Sequence, residues 1–112
     1  MDVRELIPKH ADDQKAIDGL KKLPFEQIKP IVPDLLVWLQ DMNWPVARPI
    51  AGILEPFVDQ IVPEIITILK TDDGMWKYWI LTCLIKNTTH PILLDEIERM
   101  AKFPSRRNHR SG

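Results

Sequence analysis

The chain has 112 residues, 45% of them hydrophobic and 28% charged, with a formal charge of −1. That length is one domain, large enough to bury a core without staples, and the composition excludes disorder over the body of the chain. The near-neutral balance gives no overall attraction to nucleic acid or anionic lipid.

The first eight residues, Met-Asp-Val-Arg-Glu-Leu-Ile-Pro, acquire acids at once and lack the apolar run of a signal peptide. No window approaches the roughly 18 uncharged apolar residues of a membrane span. A cytosolic protein that does not engage a membrane is therefore expected. An amphipathic helix is predicted over 13–23, capped by Asp12 or Asp13, with Ile17 and Leu20 facing inward. A short turn at 25–29 leads to a helix over 31–40, whose Ile31, Leu35, Leu36, Trp38 and Leu39 follow helical spacing. After a polar turn, a third helix is predicted over 45–54, with Pro45 in its first turn.

Thirty residues on, the pattern returns. Ile31-Val32-Pro33-Asp34-Leu35-Leu36 … Leu39 is echoed by Ile61-Val62-Pro63-Glu64-Ile65-Ile66 … Leu69, and each copy runs through a polar turn to a Trp. A repeat of that period marks stacked helical hairpins, in which one unit cannot bury its apolar face without the next. The second copy is predicted to span 57–69, broken near Pro63, with a turn at 71–74 and a helix over 75–86. The last helix is expected over 91–102, with Leu93, Leu94, Ile97, Met100 and Ala101 inward. Phe103-Pro104 then ends it. Ten prolines punctuate this series, and Pro30, Pro49 and Pro56 are expected at starts, breaks or kinks. Nothing reads as a strand, and the fold class is all-α.

Two blocks, Pro33-x-Leu35-x-x-x-Leu39-x-Asp41 and Val46-Ala47-Arg48-x-x-Ala51-x-x-Leu54, resemble a HEAT repeat. Three further stretches are similar to a small bacterial family of HEAT-like domains of unknown function: Leu6-Ile7-Pro8-Lys9-His10, the run from Trp38-Leu39-Gln40-Asp41-Met42-Asn43 to Trp44-Pro45-Val46-Ala47, and Asp73-x-x-Trp76-Lys77-Tyr78-Trp79. The resemblance implies a short right-handed α–α superhelix of about three helical hairpins with no assigned reaction. It also implies a hydrogen-bonded structural pair between Asp41 and Arg48. The period is shorter than the ~40–47 residues of HEAT units. Ile80 stands where a second Arg would pair with Asp73.

Chemistry-bearing motifs are few. His10, His90 and His109 have no second His or Cys at ligand spacing, and Cys83 stands alone among apolar neighbours as a buried thiol, so neither metal nor cofactor is expected. Thr71-Asp72-Asp73-Gly74 lacks the alternating carboxylates of a calcium loop. Asp12-Asp13, Asp72-Asp73 and Asp95-Glu96 fall at helix starts or turns, where carboxylates cap helices. No nucleophile or phosphate-loop motif is present, so no catalytic residue is singled out and an enzyme is not expected.

The aromatic set carries the functional expectation. Trp44 and Trp76 open the second helix of their units, with Arg48, Lys77 and Tyr78 beside them, and Trp, Tyr and Arg are the residues of binding hot spots. A partner-binding edge built from Trp44, Arg48, Trp76, Lys77 and Tyr78, taking a protein partner, is the leading reading. Set against it is a structural one, in which Trp44 and Trp76 staple turns onto the neighbouring hairpin and Trp38 and Trp79 are core. Two alternatives remain: a small enzyme or ligand-binding protein with a pocket where Asp41, Arg48, Lys77 and His90 converge, and an immunity or antitoxin-like inhibitor. The chain divides into a helical domain over 1–103 and a disordered tail over 104–112. Arg106, Arg107 and Arg110 lie in that tail, leaving 12 basic against 16 acidic groups, a charge of −4, on the body. With its positive charge on an appendage, the chain is not expected to bind nucleic acid.

Overall fold

Proline and cap positions decide where each helix starts. The computed structural model describes residues 2–102, with no strand among them. Seven α-helical segments follow one another: α1 (Gln14–Lys21), α2 (Phe25–Ile28), α3 (Val32–Val37), α4 (Ala47–Leu54), α5 (Val62–Leu69), α6 (Gly74–Trp79) and α7 (Pro91–Lys102). The chain is all-α, as its periodicity predicts. Pro33 and Pro63 occupy the first turn of α3 and α5, where a missing N–H costs no intrahelical bond. Pro30 and Pro56 open 3₁₀ turns at Lys29–Ile31 and Glu55–Gln60, and the backbone kinks at Phe57. Pro49 falls in the first turn of α4. These are the starts and kinks expected of them.

The caps of α1 and α6 are side chains. Asp13 Oδ1 accepts the Ala16 N–H at 3.2 Å, and Asp73 Oδ1 accepts the Trp76 N–H at 3.0 Å. Each satisfies a donor that the helix itself leaves open.

Several boundaries differ from expectation: the turn predicted at 25–29 is the short helix α2, and the helix predicted over 31–40 tightens to 3₁₀ geometry at Trp38–Gln40. The helix predicted from Pro45 begins at Ala47, because 41–46 form successive turns. There Trp44 N–H donates to Asp41 O at 3.1 Å, and Val46 N–H donates across the molecule to Ala11 O at 3.0 Å. The helix predicted over 75–86 divides into α6 and a π turn, Ile80–Leu84, closed by Ile85 N–H to Ile80 O at 3.0 Å. Thr82 Oγ1 donates to Tyr78 O at 2.9 Å beside this change of register.

The core follows the repeat. Ile31, Ile61, Leu35, Ile65, Leu39 and Leu69 are all buried, so each copy supplies equivalent anchors. Helix α4 buries Ala47, Ile50, Ala51 and Leu54, and lies against α1 and the 80–84 turn. Helix α7 rests on α5, and α6 on both α5 and the 38–40 turn. Phe25 and Phe57 stack with centroids 4.4 Å apart, joining α2 to the Glu55–Gln60 turn.

On α7 the inner stripe is Leu93, Glu96, Ile97 and Met100, which keeps i, i+3, i+4, i+7 spacing. Leu94, 45% exposed, and Ala101 fall off that stripe and face outward, contrary to expectation. Glu96 is tolerated inside because Arg99 Nε donates to both of its carboxylate oxygens at 3.1 Å. Cys83, expected to be buried, is half-exposed beside the Thr82 hydroxyl. Phe103-Pro104 and the basic tail over 104–112 lie outside the described residues.

Candidate functional site

The aromatic residues gather where α6 meets the 38–40 turn. Capping by Asp73 fixes the first turn of α6. From that turn the Trp76 indole Nε1–H donates to Leu36 O at 3.0 Å, across 40 residues of sequence. Trp76 thus staples the second hairpin onto the end of α3. Trp44 meets Trp38 edge to face, at 5.3 Å and 74°, and Tyr78 meets Trp79 in the same manner, at 4.9 Å and 69°. All four tryptophans are half-buried; Trp38 and Trp79, read as core residues in the structural alternative, pack against the core without being enclosed by it. Tyr78 is 52% and Met75 57% exposed. Rings held by packing on one side and open on the other suit a contact surface, since ordering them costs little entropy at binding.

Arg48 is exposed in the first turn of α4, and Lys77 is half-buried on α6. The Asp41–Arg48 pair does not form among the described residues: Asp41 Oδ1 instead accepts the Asn43 N–H at 2.9 Å. The reason is local. Asp41 is extended at the end of the 38–40 turn, and its carboxylate closes its own turn, as Asx residues do. The guanidinium of Arg48 is left to solvent.

His10 and His90 have local structural roles, and His109 lies outside the described residues. His10 Nδ1 lies 2.6 Å from Asp12 Oδ1 in an exposed loop. His90 Nδ1 accepts the Ile92 N–H at 3.2 Å, capping α7, and the His90 backbone N–H donates to Thr88 Oγ1 at 3.1 Å. No group of three or more His, Cys, Asp and Glu side chains among the described residues could hold a metal ion. No helix there is long and apolar enough to cross a membrane.

Asp41, Arg48, Lys77 and His90 are absent from the lining of one cleft among the described residues. That cleft, of about 180 Å³, lies between the Glu55–Gln60 turn and residues 84–89. Its polar residues are Glu55, Asp59, Asn87, Thr88 and Thr89; Asp59 falls within the helix predicted over 57–69, and the partnership of the two walls across some thirty residues leaves no local signal.

The fold and surface define a small all-helical domain whose most distinctive feature is a half-exposed aromatic edge. The chain belongs to a family described as a domain of unknown function (DUF5071), whose profile matches residues 6–111. No curated protein matches it.

Proposed function

We propose that this domain is a non-catalytic protein-interaction module, working in the bacterial cytoplasm and binding a protein partner through the edge that carries Trp44, Arg48, Trp76, Lys77 and Tyr78. The observation that carries the reading is the exposure of Tyr78 and Met75 on a helix flanked by half-buried tryptophans. Stable monomers seldom leave such aromatic surface open without a use for it.

The proposed scaffold is a HEAT-like stack. Its support is the thirty-residue repeat together with two rows of contacts, α1 to α4 to the 80–84 turn and α5 to α7. Repeat stacks of this kind present extended faces to their partners.

Affinity capture from the native host, quantified for the wild type and for Arg48→Ala/Tyr78→Ala, tests the reading. Both side chains are exposed, so the variant is expected to fold normally. The specific partner should then be depleted about tenfold or more, as for loss of hot-spot residues. Recovery of every partner at wild-type levels would show that the edge is not the binding surface.

A further inference from the structure

The cleft between the Glu55–Gln60 turn and residues 84–89 has a lining that the aromatic edge does not use. Glu55 and Asp59 stand on one wall, and Asn87, Thr88 and Thr89 on the other. Val58 and Leu84, only 6% and 1% exposed, add an apolar floor. Neither Glu55 nor Asp59 has a cation or a side-chain hydrogen bond among the described residues. Two carboxylates thus face one recess with their acceptor capacity open.

Size and chemistry together select the occupant. Sites for metabolite-sized ligands run to about 300–1,000 Å³, and this recess holds about 180 Å³. That is the scale of one long side chain. An anion is disfavoured by the two carboxylates. A metal ion is disfavoured because no three His, Cys, Asp or Glu side chains come together among the described residues. The apolar floor calls for a methylene stem and the walls call for donors at its tip, which is the amphipathic pattern of Lys and Arg. Arginine fits better, because its planar five-donor head spans two carboxylates and an amide oxygen, whereas an ammonium acts as a point charge.

We infer that this cleft is a binding site for an arginine side chain presented by a partner protein. It shares with the aromatic-edge reading only the idea of a protein ligand, and it stands or falls separately.

The test is an NMR titration of the ¹⁵N-labelled full chain with N-acetyl-arginine amide. N-acetyl-lysine amide and N-acetyl-norleucine amide serve as comparisons. The arginine probe should give saturable shifts at Asp59, Asn87, Thr88 and Thr89, with a weaker lysine response and none from norleucine. The folded Glu55→Gln/Asp59→Asn variant should lose about tenfold or more in affinity for the arginine probe, as expected when charge-assisted hydrogen bonds are removed. The Arg48→Ala/Tyr78→Ala variant should bind that probe like the wild type. Absence of saturable shifts, an equal response to lysine or norleucine, or an unchanged affinity in the carboxamide variant would overturn the assignment.

Discussion

Gly52 and Gly19 both lie within helices, in opposite surroundings. A Cβ built on Gly52 would meet nothing within 4 Å, and the residue is exposed on α4. Glycine there only loses backbone entropy on folding, so Gly52→Ala should stabilise the domain by about 0.5–1 kcal/mol. A rise in the urea unfolding midpoint at unchanged slope would report it, and a lowered midpoint would contradict the open environment. At Gly19 the same Cβ would stand 2.6 Å from Leu6 Cδ2. Leu6 is buried where the N-terminal 3₁₀ turn covers α1 and would have to swing aside. Gly19→Ala should therefore gain clearly less than Gly52→Ala, or nothing. The contrast isolates close approach from helix propensity in one chain.

At the scale of elements, the two copies of the repeat are equivalent at four buried anchors, Ile31/Ile61, Val32/Val62, Leu35/Ile65 and Leu39/Leu69, and unequal at a fifth. Leu36 is 1% exposed and its carbonyl holds the Trp76 indole, whereas the corresponding Ile66 is half-buried. Leu36→Ala should cost about 2–5 kcal/mol, in the range of buried large-to-small changes. Ile66→Ala should cost about half as much or less, because solvent and neighbours fill part of the space it leaves. Equal losses in denaturant unfolding would mean that the copies bury their helices alike. This inequality shows where the sequence is readable and where it is not. The start of α1, the proline-opened α5 and the start of α7 were legible because caps, prolines and apolar spacing are local signals. The start of α4 was not, since the acceptor of Val46 N–H is Ala11 O, over thirty residues away. The π turn after α6 has no residue-type signature either. In the candidate site, the tryptophans stood out by spacing. Their exposure and the fate of Asp41 depend on neighbours that no local pattern names. The cleft shows the limit most plainly: its two walls become neighbours only when the 55–60 turn and the approach to α7 are packed together.

Across the whole molecule, a few long-range links join the units: Val46 N–H to Ala11 O, the Trp76 indole to Leu36 O, and the Phe25–Phe57 stack. Two carboxylates add a pH dependence to this assembly. Asp13 is held below the ordinary carboxylate range by the backbone N–H groups of Lys9 and Ala16, and Glu96 by the Arg99 guanidinium, against the opposing effect of its burial. A carboxyl whose pKa is lower folded than unfolded stabilises the native state above its unfolded value. That contribution disappears as pH falls through the folded value, because the unfolded chain binds more protons in between. The window opens near pH ~4 and extends downward. Urea midpoints should therefore stay level between about pH 7 and 5 for these groups and decline below about pH 4. Asp13→Asn/Glu96→Gln should lower the midpoint at neutral pH and flatten the acid decline. The sign follows from the donors that remain: an amide oxygen accepts from Lys9 N–H or Arg99 more weakly than a carboxylate and does not titrate. A double variant with the wild-type acid slope would place the dependence on other carboxyls, and the Asp13 cap of α1 and the Glu96–Arg99 pair within α7 would then be pH-silent.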